Sequence, residues 1–179
     1  MSTNHETETV EPMPGVFALL LFGFALAALG AEHLISSAAH GAVVFGILIA
    51  AIGEVVGGLW EIKLGENYTG NLVTVFGTWL IGLFMLEFVG PSMGLITPMT
   101  IAVYFMALVP PIVMFWIPVF PDAPWNIHGA FATLMGLVLV SSIAQFVSMP
   151  SLGYLTGILA WGAAFCIWSM AWEDLQDLQ

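Results

Sequence analysis

The chain has 179 residues, 60% of them hydrophobic, and carries twelve acidic side chains against a single lysine, for a net charge of −11. That much apolar surface cannot be hidden inside one small water-soluble core, so part of its solvent must be lipid. With Lys63 as its one permanent cation and no arginine, the chain is a poor partner for nucleic acid or anionic head groups.

Residues 1 to 12 contain Glu6, Glu8 and Glu11 and no lysine or arginine. The first apolar run therefore lacks the basic leader of a cleavable signal peptide and is expected to stay as a helix. A spanning helix needs ~20 apolar residues. Hydropathy and turn formers predict six: 14–33, 39–61, 69–89, 97–119, 127–148 and 151–172. The expected fold is an all-α integral membrane bundle of six transmembrane helices, one domain over residues 1–179. Residues 1–12 and 173–179 are expected to be acidic cytoplasmic tails.

Helix 1 runs into Glu32-His33, and His40 opens helix 2; all three are expected at a solvated turn. Helix 2 carries Gly46, Ala50, Glu54 and Gly58 at a spacing of four. Small residues let helices approach closely in lipid, where no hydrophobic force drives them together. A carboxyl on that face points at neighbouring helices or a wet cavity, because a charge facing lipid is strongly disfavoured. Glu54 is thus the first functional candidate, with an interhelical hydrogen bond as the structural alternative. Glu61 near the end of helix 2 and Glu87 near the end of helix 3 are expected to reach water.

Lys63 places its loop on the cytoplasmic side, and with an even number of spans both termini follow it, in a cytoplasmic membrane. In such a loop the sequon Asn67-Tyr68-Thr69 is a chance match. Helix 3 repeats the small-residue pattern with Gly70, Thr74, Thr78 and Gly82. Its hydroxyls can donate to a carboxylate without a fixed charge, or can serve as interhelical glue. Helix 4 contains Pro110-Pro111, which removes two backbone donors and must kink or break it.

His5, His33, His40 and His128 have no ligand spacing, so neither a metal nor another cofactor is expected. Cys166 is the only cysteine and is expected to pack as a small hydrophobe. No nucleophile motif or phosphate-binding loop is present, which argues against an enzyme.

The run Glu54-Val-Val-Gly57-Gly-Leu-Trp-Glu61-Ile-Lys63-Leu-Gly65-Glu-Asn67, followed by Phe76-Gly77-Thr78-Trp79, resembles the acetate uptake transporter family, or succinate-acetate permeases. That family ends helix 2 in a Gly-Leu-Leu-Glu-Tyr-Lys-Lys-Gly-Asn type motif and carries Tyr-Gly-Ser-Phe-Trp on helix 3. Glu11-Pro12-Met13-Pro14-Gly15 is similar to its Asn-Pro-Ala-Pro-Leu-Gly signature, with Glu11 in place of the asparagine. The stretch from Gly157 to Glu173 is also similar, whereas helices 4 and 5 match weakly.

The resemblance implies a homo-hexamer in the lipid bilayer, each protomer with its own pathway for acetate or a similar small monocarboxylate, with or without a proton. It implies a hydrophobic constriction of Phe76, Leu134 and either Leu20 or Phe22. Glu54, Thr74, Thr78 and Thr133 would line the pathway, while Pro12, Pro14, Glu61, Gly65 and Asn67 carry the family motif. Glu54 stands where a member of the family carries glutamine. A channel for urea or another small neutral solute, and a non-transporting assembly subunit, are the competing readings.

Overall fold

The computed structural model describes residues 13–147 and 149–176. The described part is helical: α1 Pro14–Leu34, α2 His40–Leu64, α3 Asn67–Phe88, α4 Pro98–Met106, α5 Val109–Val119, α6 Trp125–Ala144 and α7 Pro150–Gln176. Short 3-10 turns at Ser37–Ala39 and Gly90–Met93 join α1 to α2 and α3 to α4. Six stretches are long and apolar enough to cross a membrane, with α4 and α5 together making the fourth, so the chain is a multi-pass membrane protein. Pro12, and the tail residues before Met13 and after Gln176, lie outside the described residues.

Several ends have clear local causes. Gly65 adopts φ 99°, the left-handed conformation that glycine tolerates. Its own N–H reaches Ile62 O at 3.1 Å, and Glu66 N–H reaches Glu61 O at 3.0 Å, closing α2. Asn67 donates from Nδ2 to Gly65 O at 3.2 Å and opens α3, so α2 and α3 form a tight antiparallel hairpin. Thr97 caps α4 by accepting the Thr100 N–H at 3.1 Å.

The predicted fourth helix breaks at Ala107-Leu108, and Pro110-Pro111 fall in the first turn of α5, where a missing N–H costs nothing. The predicted fifth helix ends at Ala144, four residues early, and the sixth continues through Glu173 to Gln176.

Packing is closest between α2 and α3. A Cβ on Gly58 would lie 2.7 Å from Gly70 O and 2.8 Å from Thr74 N, and one on Gly77 would lie 2.8 Å from Val55 N. α1 packs against both α2 and α7, and α6 against α7. Trp168 fastens α7 to α1 by donating its indole N–H to Leu20 O at 3.1 Å. Trp79 and Tyr104 stack and exchange bonds: the indole N–H reaches Tyr104 O at 3.2 Å, and the phenol reaches Trp79 O. The exterior is apolar, with Phe45, Ile52, Val56 and Leu59 on α2 exposed, as suits a surface facing lipid or another chain.

Candidate functional site

Two cavities enter the bundle from opposite ends. The termini-side cavity, about 350 Å³, lies at the end where α1 starts and α7 finishes, and its lining includes Glu54, Tyr68, Asn126, Glu173 and Asp174. The far-side cavity, about 260 Å³, is reached past Glu32, His33, His40, Glu87 and Gln145. Among the described residues that line them, only Phe22, Phe76 and Leu134 belong to both. These three are buried, at 7%, 3% and 6% exposure, and the rings of Phe22 and Phe76 stand 6.0 Å apart. Each lies eight or nine residues into its helix, about 12–14 Å along the axis and near mid-span.

Sequence reading offered Leu20 or Phe22 on helix 1. The structure puts Phe22 between the cavities and leaves the Leu20 side chain 42% exposed on the outside, because two residues turn a helix by about 200°. Glu54 is buried at 2% exposure and faces the termini-side cavity.

The three threonines expected along the pathway line neither cavity. Thr74 packs on Gly58 of α2. Thr78 is exposed and donates to Thr74 O at 2.8 Å. Thr133 turns toward Gly162 of α7 and donates to Gly129 O at 2.6 Å. For the two on α3 the cause is helical drift: a spacing of four overshoots one turn by about 40°, so three steps rotate the stripe by about 120°. Gly70 therefore meets α2, whereas Gly82 meets Tyr104 of α4.

What the stripe missed is a run at mixed spacings of three and four. On α3 the cavity lining follows Thr69, Leu72, Phe76, Leu80, Leu83 and Glu87, and on α6 it follows Ala130, Leu134, Leu137 and Ser141. That seven-residue rhythm was present in the sequence, hidden among residues as apolar as their neighbours.

The motif residues come together at the termini side. Pro14 starts α1, and the Glu61 carboxyl lies against Gly15, facing its backbone N–H at the positive end of that helix. Glu61 was expected to reach water and is instead buried at 9% exposure, because α1 closes over it. Gly65 and Asn67 build the turn after it.

At the opposite mouth, His40 Nδ1 and Glu32 Oε1 are 2.9 Å apart, and Glu87 lines the same cavity. Between α5 and α6, half-buried His128 accepts the Trp116 indole N–H at Nδ1, 3.1 Å away. Buried Cys166 packs at Gly129. Among the described residues, no three His, Cys, Asp or Glu side chains gather as metal ligands.

Neither a family model nor a curated protein matches the sequence. Among solved structures, the chain is similar to a bacterial acetate channel, SatP, at a TM-score of 0.80 and 15% sequence identity, with 94% of each chain covered. At that identity the likeness is one of fold, and it holds for nearly the whole length of both chains.

Proposed function

We propose that the chain is a transmembrane conduit for acetate or a similar small monocarboxylate, which crosses between the two cavities through the neck of Phe22, Phe76 and Leu134. The observation that carries this is the shared lining: two cavities open toward opposite ends of a spanning bundle and have only these three mid-span side chains in common. An apolar constriction between wetter vestibules passes small solutes and resists free water and ions. The fold likeness to a protein described as an acetate channel supports the same reading.

Lys63 in the last turn of α2 supports an orientation with the termini-side cavity toward the cytoplasm, in a cytoplasmic membrane. The family resemblance adds that six copies assemble, each with its own pathway, and the exposed apolar exterior suits such contacts. Uptake of labelled acetate into vesicles containing the purified chain tests the proposal. Uptake well above that of protein-free vesicles is expected. Swelling driven by urea alone would favour a neutral-solute channel, and flux of neither would favour an assembly subunit.

A further inference from the structure

Glu54 is almost wholly buried and lines the termini-side cavity, yet its Oε2 meets no hydrogen-bond partner among the described residues. A buried carboxyl oxygen left without a donor is costly. Its donor is therefore expected from whatever occupies the cavity. Among the described residues, the ionisable groups lining that cavity are Glu54, Tyr68, Glu173 and Asp174, with no lysine, arginine or histidine. A bare carboxylate arriving here would meet acids and no cation, in surroundings where an unpaired charge is strongly disfavoured.

The geometry points to Glu54 as a recognition site for an uncharged solute that carries a carbonyl and a hydrogen-bond donor on the same carbon. An undissociated short-chain carboxylic acid has that arrangement, and so does the matching primary amide. A protonated Glu54 donates one hydrogen bond and accepts another, so it can close a two-bond ring with either solute. An ionised Glu54 accepts only and still prefers a solute that donates. The cavity, about 350 Å³, has room for a solute of four heavy atoms beside the carboxyl. This inference rests on the conduit reading and adds which form of the solute occupies the termini-side cavity.

The test uses the full chain in phosphatidylcholine vesicles, with acetamide as a probe that is neutral at every pH and labelled acetate in a parallel arm. Acetamide-driven swelling is expected to be several-fold faster than in protein-free vesicles. Glu54→Gln, whose amide also donates and accepts, keeps that rate within about twofold, whereas Glu54→Leu lowers it about tenfold. Rescue by the amide separates recognition from a purely structural role for the side chain. Acetamide crossing at the protein-free rate while acetate uptake depends on the protein would overturn the proposal, as would Glu54→Leu moving acetamide as fast as the wild type. No protein-dependent flux of either solute would overturn the conduit reading and this site with it.

Discussion

Asn126 donates from Nδ2 to Glu173 Oε2 across 2.8 Å, tying the first turn of α6 to the last turns of α7 at the termini-side mouth. Asn126 is fully buried, and its Oδ1 also accepts the Ile127 N–H at 3.0 Å. Replacing Asn126 with Leu deletes this bond, and because Glu173 is exposed water can take the donor's place, so the loss is about 0.5–1.5 kcal/mol. The expected result is a lower thermal midpoint in detergent, and Asn126→Asp should lower it further by facing one carboxylate with another. A midpoint equal to that of the wild type for both variants would show that this bond does not hold the mouth.

The contact between α2 and α3 predicts an ordered series. Gly58→Ala, Gly70→Ala and Gly77→Ala each bring a methyl group to 2.7–2.8 Å from backbone atoms of the facing helix, which cannot move aside cheaply. Overpacking of this kind costs about 1–3 kcal/mol. Gly41→Ala meets nothing within 4 Å and serves as the neutral control. Thermal melts of the four variants should separate three destabilised proteins from one like the wild type.

Tyr104 and Trp79 hold α4 against α3 beside the far-side cavity. Tyr104→Phe keeps the stacked ring and deletes the phenol bond to Trp79 O, a loss of about 0.5–1.5 kcal/mol. The measurement is the melting midpoint. It should fall by less than in the glycine series, since the freed carbonyl belongs to a helix and already accepts within it.

The spans were legible because lipid demands long apolar runs, and the break in the fourth was written in Pro110-Pro111. Glu54 was legible for a similar reason: an acid among small residues has no place facing acyl chains. The threonines were not. Their regular spacing of four suggested one face, but on a helix it winds from one neighbour to the next, so Thr74 meets α2 and Thr78 leaves the bundle interior. Position 22 rather than 20 on α1 depended on how that helix rotates against α7, which the Trp168 bond to Leu20 O helps to set. No residue-level pattern in α1 records that rotation. The burial of Glu61 was hidden likewise, because its partner Gly15 stands 46 residues earlier in the chain.

The most direct test of the conduit is a size series at Phe76, with labelled acetate uptake measured in vesicles reconstituted at matched protein amounts. Phe76→Leu widens the neck and should raise uptake several-fold, Phe76→Trp should depress it, and Phe45→Leu on the exposed face of α2 should leave it unchanged. Uptake that ignores the size of residue 76 while remaining protein-dependent would contradict a pathway running between Phe22, Phe76 and Leu134.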